Sequence, residues 1–134
     1  MVGSATRAIM MSAVVWLLVL PAGAETAAGQ RLYLQYCSAC HGSTGKGDGI
    51  VSGFMRPTPP DLTLLARQNN GVFPTVTVID AIDGRSTLRA HGDADMPVWG
   101  AILKSDAGDD KNPELAVYSA VAQITDYLRS IQAK

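Results

Sequence analysis

The sequence predicts an all-α protein of about four to five helices. Three observations carry this expectation. Apolar residues near both ends of the chain recur at three- and four-residue spacing, the spacing of a helix face. The stretches between them are punctuated by glycine and proline clusters, which end helices. Residues Cys37-Ser38-Ala39-Cys40-His41 read C-x-x-C-H, a motif whose chemistry needs a helical turn. A chain of 134 residues carries a prior of one domain.

Met1 to Ala24 reads as a secretory signal peptide. Arg7 supplies a positive n-region, Ala8 to Leu20 is almost wholly apolar, and Ala22-Gly23-Ala24 is an A-x-A cleavage site. The rival is an uncleaved anchor, but Ala8 to Ala24 is short for a span and is interrupted by Pro21 and Gly23. Cleavage leaves residues 25–134 as the mature domain, placed in the periplasm. Taking the charge of Arg7 from the whole chain's −1 leaves −2. That balance argues against nucleic acid, which asks for a basic stripe. Export also takes both thiols to an oxidising compartment, where attachment to a cofactor protects them.

Thr26 to Tyr36 is predicted as an amphipathic helix. Leu32 and Tyr36 form one i, i+4 pair and Gly29 and Tyr33 another. Gly29 inside a helix costs about 1 kcal/mol relative to Ala, which points to close approach by another element. The helix runs into C-x-x-C-H, the attachment signal for a c-type haem. Two thiols on one side of a turn can each form a thioether to one vinyl group of the same porphyrin. His41 is then held under the iron as proximal ligand, at high effective concentration. Three other readings are weaker. A redox dithiol wants a strand–helix scaffold, and a zinc site wants a second ligand pair where only His91 remains. A plain disulfide leaves His41 unexplained.

Gly42 to Gly49 holds four glycines, so it is predicted to be irregular and to fold tightly round one porphyrin edge. It is not a phosphate loop, because Gly47 follows Lys46 where Ser or Thr is required. Arg56 to Leu62 is proline-rich and leaves carbonyls free, one of which can accept the Nδ1–H of His41. Asp61 caps a short helix from Leu62 to about Asn69, stopped by Asn70-Gly71.

Val72 to Gly84 is ambiguous. Val76 and Val78 alternate as in a strand, whereas Val72, Val76, Ile79 and Ile82 make a helix face ended by Gly84. Helix is preferred. In the loop read from His91 to Gly100, Met96 precedes Pro97 and so projects from extended backbone. Its thioether suits a distal iron ligand; Met55 and His91 are the alternatives. Trp99 either packs on the porphyrin, closes the loop behind Met96, or is an ordinary core residue. Lys104 to Lys111 is read as a polar surface loop. Asn112 caps a last helix, with Pro113 and Glu114 in its first turn. Its stripe is Val117, Val121, Ile124, Leu128 and Ile131, and its natural partner is the first helix at Gly29.

These residues resemble the class I cytochrome c family along the whole mature chain. The resemblance rests on C-S-A-C-H at 37–41, M-P-V-W-G at 96–100, and a C-terminal helix holding Tyr127. In that family a glycine and an aromatic stand eight and four residues before the first Cys, as Gly29 and Tyr33 do here. They cross the last helix near an aromatic, which Tyr127 matches. A family proline ahead of a polar residue and Leu gives its carbonyl to the proximal His, and Pro60-Asp61-Leu62 matches. The resemblance implies a class I fold wrapped around one covalently attached haem c, a role as electron carrier, and helix for 74–83. The span from His41 to Met96 departs from the family pattern, and the lysine-rich face of mitochondrial relatives is missing.

The expectation is therefore a monohaem carrier of single electrons between periplasmic or membrane redox partners, met transiently, as a monomer or as a subunit of a redox complex. Cys37, Cys40, His41 and Met96 hold the haem, and His41 and Met96 bind the iron. No acid, base or nucleophile is assigned, since no bond is made or broken. Two alternatives are a haem subunit of a larger periplasmic dehydrogenase and a gas- or peroxide-binding protein in which Met96 is labile. In the haem-loaded protein, Met96→Ala is expected to open the sixth position and lower the reduction potential, while Met55→Ala changes little. Loss of the low-spin spectrum in Met55→Ala would overturn the distal assignment.

Overall fold

The computed structural model describes residues 22–84, 99–108 and 110–134. Six α-helical segments and no strand occur among them: α1 (Ala22–Tyr36), α2 (Ser38–His41), α3 (Leu65–Gln68), α4 (Thr75–Asp83), α5 (Trp99–Asp106) and α6 (Pro113–Ser130). Two 3₁₀ turns, Ser52–Phe54 and Leu62–Leu64, lie between α2 and α3. The all-α expectation holds.

The first and last helices cross at Gly29. A Cβ built there would lie 2.0 Å from the Gln123 carbonyl oxygen and 3.0 Å from Cβ of Tyr127. Only a residue without a side chain lets the two backbones meet. One turn later Tyr33 is fully buried, its ring 5.2 Å from that of Tyr127. The expected α6 stripe is the core: Val117, Val121, Ile124 and Leu128 are all buried, with Ile131 packed beside them. Thr125 is buried too, and its hydroxyl donates to the Val121 carbonyl at 2.8 Å, which satisfies it inside the helix. Asn112 caps α6 as expected, its Oδ1 accepting from Leu115 N–H at 3.2 Å.

Asp61 also caps as expected, accepting from Thr63 N–H at 2.8 Å, although the first turn it starts is 3₁₀ and becomes α-helical only at Leu65. Asn70 and Gly71, both at positive φ, turn the chain after it. Residues 75–83 are helical, and Gly84 ends the helix in the left-handed conformation, its N–H on the Asp80 carbonyl. The expected face is buried in part, with Ile79 packed against the core. Val78 and Ile82 are inside, while Val72 and Val76 are 66% and 71% exposed. Pro74 places the helix start at Thr75, so Val72 lies outside it. The face that meets α6 is then set by packing and not by the longest apolar run.

Helix α5 corrects the two loop expectations around it. Trp99, Gly100 and Lys104 to Asp106 are helical. With only Gly100 and Leu103 buried, two turns leave too short a stripe to show periodicity. Gly100 packs on α4, where an added Cβ would lie 2.7 Å from the Asp83 carbonyl oxygen. Lys104 forms an ion pair with Glu114 of α6. Among the described residues no helix is long and apolar enough to cross a membrane.

The crossing yields a stability prediction. Gly29→Ala gains about 1 kcal/mol of helix propensity, but it forces two backbones apart, and overpacking of this kind costs roughly 1–3 kcal/mol or more. Denaturant unfolding should show net destabilisation; a variant as stable as the parent would mean the contact is not tight.

Candidate haem site

The end of α1 delivers the C-x-x-C-H motif as a single tight turn. Cys37 N–H bonds to the Tyr33 carbonyl at 2.9 Å, and His41 N–H to the Cys37 carbonyl at 2.9 Å. The backbone thus places two thiols and an imidazole on one turn. Both cysteines are free and half-buried. Burial, and then Cys40 beside it, pushes the Cys37 thiol up to about 12, so it stays protonated at neutral pH.

Cys37 and His41 line an apolar cleft of about 280 Å³. Its other walls are Tyr33 of α1, Leu62 and Leu65, Val78 and Ile82 of α4, and Ile124 and Leu128 of α6. Gln68 and Thr77 add the amide and hydroxyl, and no charged side chain lines it among the described residues. Cys40 follows on the same turn without lining the cleft.

His41 is only 7% exposed, and its Nδ1 lies 3.4 Å from the Pro60 carbonyl oxygen. With the proton on Nδ1 given to that carbonyl, the lone pair sits on Nε2, the tautomer a metal ligand needs. The glycine-rich loop builds this arrangement. Gly47 N–H bonds to the His41 carbonyl at 2.9 Å, and Leu62 N–H to the Gly45 carbonyl at 2.7 Å. Gly47, at positive φ, passes so close to Pro59 that a Cβ would lie 2.3 Å from its carbonyl oxygen. The loop therefore grips the segment that carries Pro60.

The donor set and walls fit a covalently held haem: two thiols on one turn, an imidazole with one nitrogen engaged, and uncharged apolar surroundings. Of the distal candidates, Met96 and His91 lie outside the described residues. Met55 follows the Ser52–Phe54 turn and does not line the cleft. Trp99 packs edge-on against Tyr36, with ring centroids 5.6 Å apart, and joins the core there. The Tyr36 hydroxyl donates to Asp106 at 2.8 Å, a bond to a carboxylate that raises the pKa of the phenol. This link between α1 and the end of α5 had no signal in the sequence, since the two residues lie 70 positions apart.

The family described as cytochrome C oxidase, cbb3-type, subunit III matches residues 24–118. The chain belongs to this family and is a class I c-type cytochrome. It is a c-type haem electron-transfer protein, and the family implies covalently bound haem c. A comparison with curated proteins and with solved structures finds no match. The matched region runs from α1 into α6 and contains the whole motif turn.

Tyr33 ties the cytochrome's first helix to its motif. Its hydroxyl donates to the Gly42 carbonyl, next to His41, at 2.6 Å. Burial first, then Cys37, Tyr127 and Asp48, raises its pKa above the ordinary phenol value. A phenol raised on folding contributes fully below about pH 10 and loses that contribution as pH climbs toward the folded value. Tyr33→Phe removes this bond and leaves the Gly42 carbonyl with Gly45 N–H alone, so unfolding should show a loss of roughly 0.5–1.5 kcal/mol at neutral pH. The decline of stability in alkali should become shallower. Unchanged stability together with an unchanged alkaline slope would contradict this role.

Proposed function

We propose that the cytochrome is exported, loses Met1 to Ala24, and works in the periplasm as a monohaem carrier of single electrons. Cys37 and Cys40 hold the haem, His41 is its proximal ligand and Met96 its distal one. When bound, the haem supplies a reversible one-electron change between ferric and ferrous iron. The residues of the chain do the rest. Pro60 orients His41 and keeps its Nε2 lone pair available. Leu62, Leu65, Val78, Ile82, Ile124 and Leu128 exclude water, so a change of charge in the cleft meets a low and fixed dielectric.

The observation that carries this reading is the shared turn of Cys37, Cys40 and His41 opening on an uncharged cleft. The partner surface has support as well. Ile50 and Phe54 are 87% and 89% exposed beside the motif turn. Their segment is tied to that turn by Val51 N–H to the Ala39 carbonyl at 3.1 Å and Gly49 N–H to the Cys40 carbonyl at 3.2 Å. Exposed apolar side chains beside the motif turn suit a small, weak redox encounter.

A second reading is favoured by the family itself, that of an oxidase subunit: the chain is then the haem subunit of a larger complex. Potentiometric titration of the purified, haem-loaded protein is expected to follow a one-electron Nernst curve, with one haem per chain. No reversible change would overturn the carrier reading. Size-exclusion of a native periplasmic extract separates the two forms. Elution as a small free protein supports the shuttle, and elution only in a large assembly supports the subunit.

A further inference from the structure

We infer that Gln132, beyond the last residue matched by the family, is a positioning residue for the proximal side of the haem site. Its amide makes three hydrogen bonds. Oε1 accepts from Ala66 N–H at 2.9 Å, and Nε2 donates to the Leu62 carbonyl at 2.8 Å and the Leu128 carbonyl at 2.7 Å. The orientation of the amide follows from its partners, because only with oxygen toward the N–H and nitrogen toward both carbonyls are all three satisfied. Ala66 N–H belongs to the first turn of α3 and the Leu128 carbonyl to the last turn of α6, where helices leave backbone groups without internal partners. One side chain therefore caps two helices and grips Leu62 between them.

The next residue extends the grip, since Ala133 N–H bonds to the Thr63 carbonyl at 2.8 Å. Leu62 is now held at both backbone polar groups, its N–H by Gly45 and its C=O by Gln132. Leu62 also lines the cleft, and it follows Pro60 by two residues. The Pro60 carbonyl stands 3.4 Å from Nδ1 of His41, beyond the usual range of about 2.7–3.2 Å. At that separation a small shift of the Pro60–Leu62 segment decides whether the bond is kept. The C-terminal tail is thus a strap that sets the acceptor for the proximal histidine, and through it the basicity of the imidazole.

The inference rests on His41 being the proximal ligand, and the test keeps the two apart. In the haem-loaded full chain, solvent exchange of the His41 Nδ1–H is followed by NMR in the reduced protein, together with the reduction potential. Gln132→Met keeps length and apolar bulk but removes the amide. It is expected to speed that exchange roughly tenfold or more, as for loss of one or two neutral hydrogen bonds. The potential should rise, because a less basic imidazole favours ferric iron less. Gln132→Glu keeps the acceptor for Ala66 and should speed exchange as well, since it cannot donate to Leu62. Leu103→Ala, a core truncation on α5, should leave exchange and potential near the parent values.

Unchanged exchange in both Gln132 variants overturns the strap. Equal acceleration in Leu103→Ala overturns it too, since the effect would then be general loosening. If the unsubstituted protein shows no His41 ring signal shifted by the haem, the ligand reading itself falls, and the proposal with it.

Discussion

The contact of α1 with α6 at Gly29 sets the frame in which the cleft forms. Two helix backbones meet there with no side chain between them, and the buried ring pair Tyr33–Tyr127 locks the crossing one turn on. From that fixed point α1 runs straight into the motif turn, so the place of Cys37 and His41 is decided by how α1 lies on α6. The same crossing presents Ile124 and Leu128 as the floor of the cleft. A domain this small buries limited apolar surface, and a cleft lined by its own core residues means that cofactor and core are shared.

The side of the cleft at His41 is built differently, from hydrogen bonds to a chain with little regular structure. The glycine loop, the proline segment and the C-terminal tail each contribute backbone or amide groups that hold Pro60 to Leu65 against the motif turn. Proline and glycine suit this task because one supplies stiffness and a free carbonyl, and the other permits close passage. The result is a hydrogen-bonded wall made without a long helix, on the side where Pro60 faces the His41 ring.

Much of this was legible in the residues. The motif, the caps at Asp61 and Asn112, the stripe of α6 and the notch at Gly29 are local or strictly periodic signals, and each appears as expected. What escaped was set by tertiary contact. The buried face of α4 is chosen by where α6 lies, so Val72 and Val76 misled as its anchors. Helix α5 buries too few residues to announce itself. The three bonds of Gln132 join positions up to 70 residues apart, and no spacing rule reaches that far. For the site, Cys37, His41 and Pro60 converge on one cleft, while Met96 lies outside the described residues and stands on its Met-Pro sequence alone.

The central claim is that one haem is covalently fixed by Cys37 and Cys40 and ligated from opposite sides by an imidazole and a thioether. The visible spectrum of the exported, haem-matured protein, oxidised and then reduced, tests it most directly. The account predicts a low-spin c-type spectrum in both states, with the band of an iron–methionine bond in the oxidised form. A colourless protein from a host able to attach haem would contradict it, as would a high-spin spectrum.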